Sequence, residues 1–301
     1  MLDTVIIGAG PAGLSAAVYA VRGGLNALLI DQSPVHGGQV LTTYEVDNYL
    51  GLKGISGMEL GQKFAAHAKD AGINELVSPV TAIEPMDGGF KVITVKETIE
   101  TKTVIVATGA VHAHLGAKGE AEFGGMGVSY CATCDGAFFK NMDVCVIGGS
   151  DVAVEDAEYL ARTSKHVYLI HRRDTLRAAN ELVETLKKRD NVTFIWDSEV
   201  TSFNGNLDLE SVTVHNKKTG EDTELPVQGA FVAVGIKPVS DVLNGIVDFD
   251  EKGYVIAGED CRTNVKGIYA AGDVRKKPLR QIITAVADGA NAVASVQEDI
   301  R

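Results

Sequence analysis

Positive charge is scarce in this chain: its 301 residues carry 28 Lys plus Arg against 40 Asp plus Glu, a formal net charge of -12. Nucleic-acid and anionic-membrane surfaces need clustered cations, so both partner classes are disfavoured. Cysteine is equally thin. Four cysteines, only two of them close together, do not make the disulfide framework of a small secreted domain. No apolar run reaches the roughly 18 residues that a membrane-spanning helix needs. The N-terminus runs directly into Met1-Leu2-Asp3-Thr4-Val5-Ile6-Ile7, without a charged leader and apolar core. The expectation is an acidic cytoplasmic protein. Trp196, the one tryptophan, reads as packing.

Glycine and apolar residues are what the chain has in quantity. With 33 glycines and 45% hydrophobic residues it can bury two medium cores and needs many close backbone approaches. Val5-Ile6-Ile7 leads into Gly8-Ala9-Gly10-Pro11-Ala12-Gly13, a small-residue helix and the strand Ala27 to Ile30 ending at Asp31. Strand, glycine turn, helix and strand then recur: Val144 to Ile147, Gly148-Gly149-Ser150-Asp151, a helix through Ala161, and Val167 to Ile170 ending at His171. Each copy continues into antiparallel strands, Phe90 to Val95 with Lys102 to Val106 and Leu209 to His215 with Thr223 to Val227.

The fold class expected is α/β, with two Rossmann-like, three-layer ββα nucleotide-binding domains. After Gly235 the chain predicts a hairpin over Val247 to Ile256, a strand at Gly267 to Ala271 and a helix from about Leu279 to Val296. That tail has no counterpart after the first copy. It is assigned to the first domain, which makes the second an insertion: 1–113 with 242–301 around 114–241.

In the first copy, Gly8 permits a tight turn, Gly10 lets the backbone approach a pyrophosphate, and Gly13 lets the helix pack on its strand. The helix N-terminus favours an anion, and Asp31 is spaced to bind a ribose 2′-hydroxyl. Gly272-Asp273 ends another apolar strand, where a carboxylate can accept hydrogen bonds from a polyol such as a flavin's ribityl chain. Arg280-Gln281-Ile282 opens the last helix, whose N-terminal amides favour the charge of a reduced flavin. In the second copy, cations at His171-Arg172-Arg173 and Arg177 replace the usual ribose-binding acid. They suit a 2′-phosphate, hence NADPH over NADH.

Cys131-Ala132-Thr133-Cys134, followed by Asp135-Gly136, carries the redox chemistry. Two thiols at this spacing form and reopen a disulfide, and a thiolate there has a lowered pKa. Asp135 can carry the proton. Alone, the pair is equally half of a zinc site. Cys145, in an apolar run, and the isolated Cys261 supply no second pair. His36, His67, His112, His114, His166 and His215 lack ligand spacing, read as surface or loop residues, and no metal is expected.

Over nearly its whole length the chain resembles the low-molecular-weight thioredoxin reductases, a branch of the two-dinucleotide flavoprotein disulfide reductases. Its marks are Gly8-x-Gly10-x-x-Gly13, Gly37-Gly38-Gln39, Cys131-Ala-Thr-Cys134-Asp135, His171-Arg172-Arg173 with Arg177, and Tyr269-Ala-Ala-Gly272-Asp273 with Arg280-Gln281. The resemblance implies FAD at the first site, with Asn48, Thr108 and Gly109 as further flavin positions. It implies Cys134 against the flavin, Cys131 attacking the disulfide of thioredoxin, and a homodimer. One flavin must meet both nicotinamide and dithiol, so a rotation of the inserted domain is expected.

Two positions depart from the pattern. Ser150 stands where relatives carry a third glycine beside the pyrophosphate, and Val152 replaces a small hydroxyl residue. Ferredoxin or another donor, or a flavin-binding redox sensor, are the alternatives that these departures leave open.

Overall fold

In the computed structural model, which describes residues 1–43 and 45–300, the chain opens on β1 (Leu2–Ile7), turns through glycines into α1 (Pro11–Arg22) and returns as β2 (Ala27–Asp31). Pro11 suits a helix start, where its missing N–H has no partner to lose. Helix α2 (Gly57–Ala71) begins at Ser56, whose hydroxyl accepts from Glu59 N–H at 3.1 Å, and stops at Gly72 with φ 94°. Then come β3 (Asn74–Val77), β4 (Val80–Met86), β5 (Gly89–Thr94), β6 (Thr98–Val106) and the short β7 (Ala110–His112).

The repeat follows: β8 (Val128–Ser129), the single turn α3 (Ala132–Asp135), β9 (Asp143–Gly148), α4 (Asp151–Leu160), β10 (His166–Ile170), α5 (Asn180–Leu186) and β11 (Val192–Ile195). Three antiparallel strands, β12 (Ser198–Gly205), β13 (Leu209–Asn216) and β14 (Asp222–Pro226), lead to β15 (Gly229–Ala233). After β16 (Ile236–Pro238), the chain finishes with β17 (Ile268–Ala270) and α6 (Ile282–Asp299).

Two compact units result: Met1–Leu41, Tyr49–Val111 and Lys237–Arg301 form one, Thr42–Asn48 and His112–Ile236 the other. The crossings fall after Val111 and after Ile236, a few residues earlier than the sequence pattern suggests. Val239 explains the return: its N–H bonds to Gly109 C=O at 3.0 Å and its carbonyl accepts from the Thr108 hydroxyl.

In the first unit the sheet order is β3-β2-β1-β6-β5-β4. One edge of β6 is shared, its first half pairing antiparallel with β5 and its second half parallel with β17. Strand alternation sends Ile6, Leu29, Ile105 and Tyr269 toward the α1 and α6 side. Val5, Ile7, Val104, Val106 and Ile268 pack on the opposite side with Ile83, Phe90 and Val92. Small residues let α1 and α6 approach closely. A Cβ on Gly289 would lie 2.1 Å from Ala12 O.

The second unit repeats the plan with a parallel sheet, β11-β10-β9-β15-β8, and a separate antiparallel sheet, β12-β13-β14. Val144, Val146, Leu169 and Phe231 face the α4 and α5 side, whereas Cys145, Ile147 and Ile170 face Val200, Phe203 and Val212. Cys145 is fully buried, as its apolar run implies. Both units are thus α/β with the expected three layers.

The expected hairpin over Val247 to Ile256 forms as a short antiparallel turn-back around the Phe249–Val255 bridge, with Asp250 N–H bonded to Tyr254 C=O at 2.9 Å and Ile256 N–H to Asp248 C=O at 3.0 Å. Asp250 closes the loop on itself, accepting on Oδ1 from Lys252 N–H and Tyr254 N–H, each at 2.9 Å. On its other edge Val255 also bonds Val274 C=O at 3.0 Å and Lys276 N–H at 2.8 Å. The segment is recruited by its neighbour in space.

Candidate active site

Four stretches of the first unit meet around its glycine turn. Gly8 has φ 106°, and a Cβ there would lie 2.4 Å from Ala107 O, so only glycine makes this bend. A Cβ on Gly13 would sit 1.7 Å from Gly8 O. Gly10 differs: a Cβ would meet nothing nearer than Gly38 Cα at 3.9 Å, which leaves an open cradle above the start of α1.

Gly37 N–H bonds Ala9 C=O at 2.8 Å, bringing Gly38 to the turn, and Gln39 Nε2 donates to Ala110 C=O beside Thr108 and Gly109. Gly272, at φ 78°, abuts Ala12, where a Cβ would be 2.9 Å from the alanine Cβ. Asp31 is engaged in the frame itself. Its Oδ2 accepts from Ala9 N–H at 2.6 Å and its Oδ1 from Ser33 N–H at 2.8 Å.

Two polar atoms in this frame are buried without protein partners, Asp273 Oδ1 and Arg280 Nε. Natural proteins rarely leave such atoms unmatched, so an external ligand is the physical expectation. Burial raises the Asp273 pKa, Lys277 and Arg280 oppose the rise, and Asp288 adds to it. The Arg280 guanidinium lies 4.0 Å over the Tyr254 ring. Gln281 caps α6 in a reciprocal arrangement with Thr284, and Ile282 is its first residue. An open phosphate cradle, a helix start and a buried acceptor fit a dinucleotide with a polyol linker. Asn48 lies in Thr42–Asn48, which groups with the second unit.

In the second unit Cys131 and Cys134 form a disulfide, their Cα atoms 5.3 Å apart. The turn closes by bonds from Cys134 N–H and Asp135 N–H to Cys131 C=O, at 3.2 and 3.1 Å, over the fully buried Ala132. Asp135 Oδ2 accepts from the Ser129 hydroxyl at 2.6 Å, and Ser129 Oγ in turn accepts from Cys131 N–H at 3.1 Å. Asp135 Oδ1 is buried with no partner. Burial raises this carboxyl's pKa while the Ser129 bond lowers it, so the group holds a proton more readily than an exposed aspartate. Such a carboxyl can take up and return a proton next to the redox turn.

The second glycine turn brings the predicted residues together with one correction. His171, expected as a cation toward a 2′-phosphate, is 5% exposed and lies under the turn, where a Cβ on Gly149 would be 2.2 Å from its Cε1. Burial lowers its pKa, aided by Arg172 and Arg177 and opposed by backbone bonds to Gly148 and Thr175; neutral imidazole results. The ring packs against the turn, and its Nε2 is buried without a protein partner.

Arg177 N–H bonds Gly149 C=O at 2.7 Å, which ties that arginine to the turn. Arg172, Arg173 and Arg177 are exposed, and among the described residues none forms an ion pair with an acid. Asp151 is committed to Ala179 N–H at 2.8 Å and braces the arginine loop. Ser150 is the N-cap of α4 but makes no side-chain capping bond, and Val152 beside it is 54% exposed. Gly148 closes the turn against Ala233 O and Ala153 Cβ, at 2.5 and 2.7 Å from a Cβ placed on it.

Comparison with known proteins decides the family. Residues 2–289 match the family described as Pyridine nucleotide-disulphide oxidoreductase. The chain belongs to that family. A thioredoxin reductase of Listeria innocua is 44% identical over 299 residues, covering 98% of this chain and 93% of the relative. The crystal structure of thioredoxin reductase from Streptococcus pyogenes superposes with TM-score 0.95 at 43% identity, covering 100% of this chain and 98% of that one. The thioredoxin reductase of Lactococcus lactis in its FR conformation gives 0.69 at 44% identity, covering 100% and 99%. Within the disulphide oxidoreductases the chain groups with the low-molecular-weight thioredoxin reductases.

Some residues at this family's dithiol turn carry no motif and escape sequence reading. Ser129 is one. Tyr130, next to Cys131, donates to Glu120 Oε1 at 2.9 Å, contacts His114 Nδ1 at 2.8 Å and stacks on His112 with ring centres 5.2 Å apart. Glu120, 3% exposed, also accepts from Leu115 N–H and Gly116 N–H at 3.0 and 2.7 Å. The two histidines expected as surface or loop residues pack around Tyr130, the neighbour of Cys131. Only Tyr130 adjacent to the cysteine hints at this in sequence.

Proposed function

We propose that this chain is an NADPH-dependent thioredoxin-disulfide reductase that passes electrons through FAD and the Cys131–Cys134 dithiol to thioredoxin. One observation carries the reading: a disulfide on a tight turn, beside an aspartate whose free carboxyl oxygen is buried and proton-holding. Bound FAD would supply a two-electron relay between nicotinamide and disulfide. Gly8, Gly10, Pro11, Ala12 and Gly13 would hold its pyrophosphate, with Gly38 and Gln39 completing the cradle and Asp273 and Arg280 meeting its polar linker. Arg172, Arg173 and Arg177 would hold the 2′-phosphate of NADPH.

Once the dithiol is reduced, the Cys131 thiolate attacks one sulfur of thioredoxin's disulfide, and the other sulfur leaves as a thiolate. Cys134 then attacks Cys131 Sγ in the mixed disulfide, restoring Cys131–Cys134 and releasing dithiol thioredoxin. Asp135 takes the proton from the arriving thiol and returns it to the departing one. Nicotinamide and dithiol both belong to the second unit and the flavin to the first. Turnover therefore needs the second unit to rotate about the crossings, and a cross-link between the units should stop it.

Family resemblance supports a cytoplasmic homodimer with thioredoxin as partner. Among the described residues no helix is long and apolar enough to cross a membrane. The deciding experiment is anaerobic: purified protein is expected to be yellow and to bleach with NADPH much faster than with NADH. Ser150 favours a second reading, in which ferredoxin or another donor replaces NADPH. Yellow protein that bleaches with reduced ferredoxin but not NADPH would establish it.

A further inference from the structure

Beside Asp273 the first unit buries more positive charge than negative. Arg275 and Asp288 are each 2% exposed, and the Lys277 side chain is 4% exposed. Asp288 serves both cations, its Oδ1 accepting from Arg275 Nη2 at 2.7 Å and its Oδ2 from Arg275 Nε at 2.9 Å and Lys277 Nζ at 2.7 Å. The same Oδ2 accepts from Gly272 N–H at 2.8 Å. Arg275 has one further acid contact, Glu259 at 3.4 Å, but that carboxylate is 86% exposed and screened by water.

Arg275 and Asp288 form a two-point pair that neutralises itself. Lys277 is then the surplus. A buried ammonium that shares its one carboxylate with a guanidinium and a backbone amide is costly unless a second negative group is near. Asp273 is that group: it follows Gly272, whose N–H shares Asp288 Oδ2 with Lys277 Nζ, and its own Oδ1 is buried and unpartnered. Burial raises its pKa and Lys277 works against that rise. Arg280 adds a second cation and Asp288 a repelling anion, and the Tyr254 hydroxyl, whose ring lies under Arg280, is raised in pKa chiefly by burial, with Asp273 adding to the rise.

We propose that Lys277 is a positioning residue for the flavin: it keeps Asp273 ionised inside the fold, so that the free carboxylate oxygen accepts from the cofactor's hydroxyl chain as a charged acceptor. The inference rests on reading the first unit as the FAD site and assigns a role to a residue outside the glycine and Gly-Asp motifs. Lys277 is a better probe than Asp288, because removing Asp288 strands two buried cations while removing Lys277 leaves the Arg275–Asp288 pair intact.

The test titrates full-length protein, stripped of flavin, with FAD at pH 6.5, 7.5 and 8.5, for wild type, Lys277→Met and Lys277→Arg. Wild-type Kd should be flat across this range. For Lys277→Met, Kd should be roughly tenfold weaker at pH 6.5, the difference between a charged and a neutral acceptor. The gap should close as pH rises and Asp273 loses its proton unaided. Lys277→Arg should stay within about threefold of wild type. A Lys277→Met protein that binds like wild type at every pH, or loses the same factor at every pH, overturns the proposal. If that variant does not fold, Lys277→Gln gives the same reading, keeping a donor to Asp288 without the charge. Wild-type protein that binds no FAD would overturn the flavin-site reading and this inference with it; flavin-binding wild type with a pH-flat Lys277→Met overturns the inference alone.

Discussion

The Ser129 hydroxyl donates to Asp135 Oδ2 at 2.6 Å and, through the same oxygen, accepts from the N–H of Cys131 at 3.1 Å. One serine thus ties the Asp135 carboxyl to the redox turn. Its bond favours the ionised carboxylate, while burial of Asp135 favours the protonated form.

Ser129→Ala removes the hydrogen bond that lowers the Asp135 pKa, so that pKa rises further. If Asp135 takes a proton from the attacking thiol, the acid limb of the kcat/KM profile for thioredoxin should move to higher pH. Asp135→Asn should lose that limb and about 10²- to 10⁴-fold in rate. An unmoved limb in Ser129→Ala would remove Asp135 from proton transfer.

The cysteine roles can be separated by trapping. Cys134→Ser leaves the attacking thiol without its resolving partner, so a stable mixed disulfide with thioredoxin should accumulate, visible on a non-reducing gel. Cys131→Ser should form none. The reverse pattern would exchange the two assignments.

Gly149→Ala should drive a methyl into the His171 ring, which is enclosed and cannot swing away. A stability loss of about 1–3 kcal/mol is expected, with weaker nucleotide binding. Adding His171→Ala opens the space, so the double variant should recover part of the loss in thermal unfolding. Strict additivity would show that the ring does not support the turn.

Arg177→Gln should raise KM for NADPH about 10- to 100-fold, the worth of a charge-assisted phosphate contact, and leave KM for NADH almost unchanged. Equal losses for both would place Arg177 in the turn's architecture.

Asp156, on α4, has its pKa raised to about 7, chiefly by burial with Glu155 adding. The folded state therefore holds a proton that the unfolded chain, near 3.8, has released. Stability falls as pH climbs from about 4 through 7. Asp156→Asn removes this penalty, so its Tm advantage over wild type should widen between pH 6 and pH 8.5, each kcal/mol being worth roughly 2–4 °C. A constant offset would show that Asp156 does not titrate in this range.

Much of the molecule was legible along the chain because it depends on local rules. Gly8, Gly13 and the Cys131–Cys134 spacing impose backbone geometry on their own neighbours, and apolar alternation in β1 and β9 follows from strand period alone. The repeat of strand, turn and helix implied two α/β units. Long-range partnership was not legible. His171 reads as a cation from its arginine neighbours, yet Gly149, 22 residues earlier, buries it. Val255, inside the hairpin read over Val247 to Ile256, also bonds Val274 and Lys276 on its other edge, which no local pattern announces.

The sequence by itself determined where the chain bends, which residues face a core and which two sulfurs can pair, since steric and periodic rules act within a few residues. Only the tertiary structure decided which polar atoms are left without partners. Asp273 Oδ1, Arg280 Nε and Asp135 Oδ1 stand out, and the Lys277 surplus becomes countable, because burial and charge balance are properties of everything packed around a group.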